Sequence, residues 1–219
     1  MGKESENTLI IETNKVCYNK LGKLYEDGEK DLQIITDLGC WQEFIDSLGG
    51  KRVLNVGCGQ GDASADLIKK GFKLTNTDLS EEMIKIAKKK CPKAENIVLG
   101  ATDLNQLGDQ KFDGIMAIHL LQSLNKDMAL DFFKQAHDLL NENGKLFLVF
   151  TNTCYIKSGL QPEGGAIEDN MIYWLKWKIE DVISLVNKAH FKPTSVRMQK
   201  SLVNTCGYME PFVIICEKK

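Results

Sequence analysis

The stretch Val53-Leu54-Asn55-Val56-Gly57-Cys58-Gly59-Gln60-Gly61-Asp62 constrains this chain more than any other. A short apolar run, Val53 to Val56, stops at three glycines spaced two apart. Asp62 then opens a helical pattern through Ala63, Ala65, Leu67 and Ile68 to Gly71. Buried strand, tight turn and helix is the reading that fits this order. Glycines let the backbone take left-handed angles and let a ligand approach without meeting a Cβ. The turn ends at a helix N-terminus, whose N–H groups favour polar and anionic ligand atoms. A purely structural glycine turn in an α/β protein is the plainer alternative. Dinucleotide enzymes also open this way, but with G-x-G-x-x-G. Here the spacing is G-x-G-x-G, with Asp62 where the last glycine of that fingerprint would fall.

Twenty-one residues beyond Gly57, a second apolar run, Phe72 to Thr77, ends in Asp78-Leu79-Ser80. An acidic residue at the tip of the second strand is placed to accept hydrogen bonds from both hydroxyls of a ribose. A helix N-cap is the other role open to Asp78, yet Ser80 is the better cap, with Glu81 and Glu82 in the first turn. Glycine turn and Asp78 together point to a nucleoside cofactor. The pair resembles the class I S-adenosylmethionine-dependent methyltransferases, where x-x-G-x-G-x-G is followed by an acidic second-strand end. The resemblance covers about Lys51 to Thr151. It implies S-adenosyl-L-methionine as cofactor, bound by Gly57, Cys58, Gly59, Gly61, Asp78 and Leu79. Cys58 reads as a small apolar spacer there rather than as a nucleophile.

At 219 residues a single domain with a substantial core is expected. A net charge of −2 argues against broad nucleic-acid or anionic-membrane binding, which needs a basic surface. No apolar run approaches the roughly 18 residues of a membrane span. Met1 to Thr8 is polar and lacks an apolar signal core. Seven cysteines stand singly, with no C-x-x-C, so neither a disulfide framework nor a zinc site is suggested. Reduced thiols in a cytoplasmic protein are the simplest account.

Residues 9 to 48 read as two helices ahead of the first strand. Val16, Leu21, Leu24 and Tyr25 form one apolar set, and Leu32 through Leu48 a stronger one, ended by Gly49-Gly50. By resemblance, these helices cover the cofactor and shape the acceptor pocket. Tyr18 and Tyr25 resemble a pair of tyrosines found there in small-molecule members; packing on the sheet is the alternative. Ile97 to Leu99 is the third strand, and the turn after it implies adenine contacts near Ala101 and Thr102, with Asp103 as a substitute side chain. Phe112 to His119 is the fourth strand, apolar nearly throughout as a central parallel strand should be. The resemblance makes Ile118 and His119, at its end, further cofactor neighbours. Gln122 and Ser123 fill the places where many small-molecule members carry two histidines.

An amphipathic helix from Met128 to Leu140 and a strand from Lys145 to Thr151 follow. Residues 152 to 178 then break the alternation with Gly159, Pro162, Gly164, Gly165 and an aromatic cluster, Tyr173, Trp174 and Trp177. An insert after the fifth strand lies at the ligand-binding edge of an α/β sheet. Aromatics there suit a lid over an apolar or planar substrate, or else a partner or dimer surface. A helix from Ile179 to Ala189 precedes two final strands, with His190 where family members carry glycine.

These features set the expectations. The fold is α/β: a Rossmann-like, doubly wound, seven-stranded, mostly parallel sheet with an antiparallel last strand and helices on both faces. One domain divides into a helical cap (1–50), a cofactor core (51–151), a lid-like insert (152–178) and a C-terminal helix and hairpin (179–219). The expected function is methyl transfer to a small-molecule acceptor by a monomer or homodimer, without nucleic acid, membrane or metal. His119 is the candidate base, with Tyr18 and Tyr25 as the other catalytic candidates. A protein or nucleic-acid methyltransferase, a nicotinamide oxidoreductase and a non-catalytic nucleoside-binding protein are the alternatives.

Overall fold

Val53 to Val56 form the buried part of β1 (Arg52–Val56), the middle of the sheet. The computed structural model describes residues 2–24, 32–33, 36–153, 157–163, 167, 169–198, 202–204 and 207–219, so Tyr25 lies outside the described residues. β2 (Lys73–Asp78) pairs with β1 in parallel on one edge and β4 (Phe112–Ile118) on the other. β3 (Glu95–Val98) lies beyond β2, and the long β5 (Leu140–Thr153) beyond β4. The chain returns through β8 (Phe191–Met198) and β10 (Gly207–Lys218), with β10 antiparallel between β5 and β8. The order is β3-β2-β1-β4-β5-β10-β8, and a short β9 (Leu202–Asn204) pairs with β10. This is the expected mostly parallel sheet with its antiparallel last strand.

Six helices are named among the described residues: α1 (Lys3–Leu21), α2 (Cys40–Ser47), α3 (Asp62–Lys69), α4 (Glu81–Lys90), α5 (Lys126–Leu139) and α6 (Ile179–Lys188). The continuous apolar runs of the strands sort by the two-residue period of a strand. Phe147, Val149, Val213 and Ile215 join α2 and α3 in one core cluster. Leu146, Leu148, Phe150, Phe212 and Ile214 join α5 and α6 in the other. Both faces are thus covered, which is why these strands are apolar throughout rather than alternating. Phe44 of α2 stacks on Phe147 at 4.8 Å between centroids. Gly114 permits that approach, because a Cβ there would come within 2.7 Å of Leu48 Cδ2. Its neighbour Asp113 accepts the Arg52 N–H and the Asn141 amide, both at 2.9 Å, tying the starts of β1 and β5 to β4.

A buried polar relay crosses the sheet under α3. The Asn55 amide donates to Ser64 Oγ at 2.9 Å, Ser64 donates to Asn76 Oδ1 at 2.5 Å, and Asn76 donates to Asn96 Oδ1 at 2.8 Å. Asn55, Ser64 and Asn76 are all buried. Each partner satisfies the next, so the relay fixes β1, β2 and β3 in register without leaving an orphaned group.

α1 departs from the expected packing. It buries Ile10, Asn14, Cys17 and Leu21, a face spaced 4, 3 and 4 residues, while Val16 is 50% exposed and Leu24, just past the helix, 58%. A buried asparagine and cysteine stand where apolar residues were expected. Asn14 explains this: its amide donates to the Ser123 carbonyl at 3.1 Å, and its oxygen accepts the Tyr173 N–H at 2.8 Å. Tyr173 belongs to β7 (Met171–Trp174), which pairs with β6 (Gly159–Pro162) as a separate two-stranded sheet. Trp177 is buried in the main core and donates to the Leu121 carbonyl at 2.7 Å. The described part of the insert therefore brackets α1 against the edge of the sheet. No described helix is long and apolar enough to cross a membrane.

Candidate cofactor and acceptor site

The glycine turn makes the floor of a cleft at the carboxyl edge of β1, β2 and β4. Gly57, Gly59 and Gly61 all have positive φ, at 67°, 52° and 88°. Their surroundings differ. A Cβ at Gly61 would press on Cys91 Sγ at 3.2 Å, so its absence lets α3 and α4 close together. A Cβ at Gly59 would meet nothing within 4 Å, because this residue faces open cleft. Such a bare backbone cradle is what a ligand needs for close approach.

Asp78 ends β2 and turns its carboxylate under that cradle. The Gly59 N–H donates to Oδ2 and the Ser80 N–H to Oδ1, each at 2.9 Å. Burial pushes the Asp78 carboxyl up, and the two donated hydrogen bonds oppose that shift. Each oxygen thus holds one backbone donor and keeps acceptor capacity toward the cleft. Ser80 caps α4 as expected, its Oγ accepting the Met83 N–H at 3.1 Å, and donates to Asn19 Oδ1 of α1 at 2.8 Å.

Gly57, Gly59, Asp78, Leu79, Ala101, Thr102, Ile118, His119 and Tyr18 all line one cleft with ≈ 830 Å³ of empty space, counting its open mouth. Two of the expected contacts do not. Cys58 is buried behind the turn, where burial and then the Asp78 charge push its thiol far up, which removes it as a nucleophile. Gly61 serves the α3–α4 contact. The turn after β3 is held by Gln135 of α5, which donates to the Thr102 carbonyl at 2.7 Å and accepts the Asn105 N–H at 2.9 Å. Leu79, Met83 and Leu99 supply an apolar wall beside it. None of Met171, Tyr173, Trp174 and Trp177 lines the cleft; its cover is α1, through Ile11, Asn14 and Tyr18.

Burial pushes the Tyr18 phenol up to about 12, against a hydrogen bond from Ser123. At neutral pH it is a hydrogen-bond donor, not a proton acceptor. His119 follows β4 with φ of 57°, its N–H donating to the Val149 carbonyl at 2.8 Å, which turns the ring out of the sheet into the cleft. His190 likewise has a φ of 62° at the end of α6, the left-handed conformation that glycine adopts most readily at a helix C-terminus. His137 lies near the C-terminal end of α5. It packs edge-on against Phe191 at 5.5 Å, with its Nε2 buried.

Residues 53–144 match a family model described as a methyltransferase domain. The putative methyltransferase YqeM of Bacillus subtilis is 29% identical over 161 residues, covering 69% of this chain and 64% of that protein. The ubiquinone biosynthesis O-methyltransferase of Idiomarina loihiensis is 31% identical over 133 residues, covering 58% and 54%. The chain thus spans between about half and two thirds of these relatives' length. Among solved structures, the 1,6-didemethyltoxoflavin-N1-methyltransferase of Burkholderia thailandensis aligns with a TM-score of 0.70 at 17% identity, over 100% of this chain and 92% of that one. Sheet order, cleft and domain match make this an α/β chain of methyltransferase architecture. The family match spans residues 53–144, less than half of the chain, and the solved methyltransferase structures share its fold.

Proposed function

We propose that the protein transfers the methyl group of S-adenosylmethionine to a small, neutral, largely apolar acceptor. The observation that carries this reading is the Asp78 carboxylate, held by the Gly59 and Ser80 N–H groups under an open glycine cradle. Asp78 would hold the ribose hydroxyls, Gly57 and Gly59 the amino-acid portion, and Leu79, Met83, Leu99, Ala101 and Thr102 the adenine. When bound, S-adenosylmethionine supplies a methyl group on a sulfonium that is already a good leaving group. The remaining task is positioning, which can supply roughly 7–11 kcal/mol of such a barrier. α1 closes the cleft over the reacting groups and limits water.

The apolar lining of the cleft supports this reading of the acceptor. Ile11, Leu120, Leu124 and Met128 are apolar, and among the described lining residues the only charged side chains are Asp78 and Asp103. No described cation lines the cleft to receive a phosphate or carboxylate. Relatives named for ubiquinone biosynthesis and for 1,6-didemethyltoxoflavin also support a small-molecule acceptor. His119 takes the proton when the acceptor is a hydroxyl or amine. The protein works in the cytoplasm as a monomer or homodimer.

Isothermal titration with S-adenosylmethionine, S-adenosylhomocysteine and NAD tests the cofactor. Binding of the first two and not the third is expected; NAD binding alone would overturn the reading. Formation of S-adenosylhomocysteine with a pool of neutral phenolic and heteroaromatic acceptors tests turnover. Cofactor binding without turnover on any acceptor would leave a non-catalytic binding protein.

A further inference from the structure

We propose that Gln122 is a positioning residue that fixes the tautomer of His119, so that Nε2 is the atom His119 presents to the acceptor's proton. This rests on the reading of His119 as the base. Gln122 is fully buried, one short turn after His119. Its side-chain amide lies between His119 and Thr151 of β5. The Thr151 backbone N–H can only donate, so the amide oxygen must face it, at 3.1 Å. The same oxygen then accepts the Thr151 hydroxyl at 3.0 Å, and the amide nitrogen donates to the His119 carbonyl at 3.2 Å.

That orientation decides the imidazole. His119 Nδ1 lies 3.0 Å from the same amide oxygen, and an oxygen can only accept. Nδ1 must therefore carry the proton, and in a neutral ring Nε2 is then the acceptor. A main-chain N–H of β5 thus sets, through one buried amide, which nitrogen of a cleft-lining histidine is basic. In the reaction the acceptor's proton passes to Nε2 as its lone pair forms the new bond to carbon and the carbon–sulfur pair leaves with sulfur. Nδ1 keeps its own proton, and Nε2 later returns the acquired one to water. The Gln122 oxygen stabilises the imidazolium through the bond it already makes.

Two variants and two readouts test this on the full chain, with S-adenosylhomocysteine titration confirming that each variant is folded. Long-range ¹H–¹⁵N correlation of the His119 ring is expected to show the Nδ1–H tautomer in the parent protein. Gln122→Leu should mix the tautomers and lower kcat by about 10- to 100-fold, part of the 10²–10⁴ a general base supplies. Gln122→Glu places a carboxylate against Nδ1–H and should move the acid limb of the pH–kcat profile up by about one unit or more. Asp78, Asp103 and Tyr18, the other titratable groups lining the cleft, are untouched in both. An Nε2–H tautomer in the parent, or an acid limb that stays put in Gln122→Glu, overturns the proposal. Should the protein prove inactive on every acceptor, the methyl-transfer reading fails, whereas the tautomer measurement still decides the role of Gln122.

Discussion

Gly59 and Asp78, nineteen residues apart, are joined by a 2.9 Å hydrogen bond from the glycine N–H to Oδ2. The bond makes the first turn and the second strand end one unit, so the cradle and the carboxylate are positioned together. Hydrogen bonds to a charged acceptor contribute about 1.5–3 kcal/mol. Asp78→Ala is expected to weaken S-adenosylhomocysteine binding by about 10- to 100-fold, read by titration calorimetry. An unchanged dissociation constant in a folded variant would remove Asp78 from the site.

The same carboxylate predicts a pH dependence with a definite sign. Burial raises the Asp78 carboxyl above its ordinary 3.8. The folded protein therefore holds this proton to higher pH than the unfolded chain does, and this group's contribution to stability falls as pH rises through that window. Cofactor affinity moves the opposite way, because ribose hydroxyls need the ionised acceptor. Affinity should drop as pH falls toward 3.8 through the raised value, and Asp78→Asn should flatten that dependence.

Two glycines of the turn should separate folding from binding. Gly61→Ala combines a left-handed φ of 88° with a 3.2 Å contact to Cys91, so it is expected to lower the melting temperature. Gly59→Ala carries only the left-handed cost of about 1–2 kcal/mol, since nothing lies within 4 Å of the added carbon. Its methyl would occupy the cradle, so cofactor binding should suffer far more than stability. Equal thermal losses in the two variants would contradict this division.

Much of this geometry was legible in the sequence because it is local. Strand, glycine turn and helix follow one another within Val53–Ile68, and Asp78 and Ser80 announce a strand end and a cap within three residues. α1 was not legible, for a physical reason. Its buried face holds Asn14 and Cys17, which read as polar or neutral until Ser123 and Tyr173 supply partners to Asn14 from 109 and 159 residues away, and Asn170 supplies one to Cys17. Ile11 and Asn14 consequently do not read as cleft residues in sequence, and Val16, part of the apolar set, stays half exposed. The aromatic insert behaves similarly: in sequence Trp177 suits a lid or a partner surface, yet its indole finds the Leu121 carbonyl and is buried.

The polar relay makes a sharp stability contrast. Ser64→Ala orphans the Asn55 amide and the Asn76 oxygen, both buried, at about 1–3 kcal/mol each, and should cost about 2–6 kcal/mol. The melting temperature would drop by roughly 4–24 °C. Thr77, in the same strand, has a buried hydroxyl without a partner among the described residues. Thr77→Val should therefore be neutral or mildly stabilising. A larger loss at Thr77 than at Ser64 would mean the relay carries no stability.

Tyr18 is expected to act as a donor. With its phenol at about 12, Tyr18→Phe should raise the cofactor dissociation constant or KM by about 2- to 10-fold, the worth of one neutral hydrogen bond, and leave the pH–kcat profile in place. A displaced profile would return Tyr18 to the list of bases.

The sharpest test of the chemistry is His119→Asn. The backbone at 119 is left-handed, with φ of 57°, and asparagine is among the few non-glycine residues that tolerate this conformation. The substitution therefore removes the imidazole while sparing the turn that follows β4. If His119 is the base, turnover should fall by roughly 10²–10⁴, and S-adenosylhomocysteine affinity, which depends on Asp78 and the glycine cradle, should stay nearly constant. Loss of cofactor binding with saturated turnover intact would show His119 to be scaffold. Near-normal activity would mean an acceptor that reacts without surrendering a proton to the protein, because Tyr18 remains a phenol in the pH range where such an enzyme works.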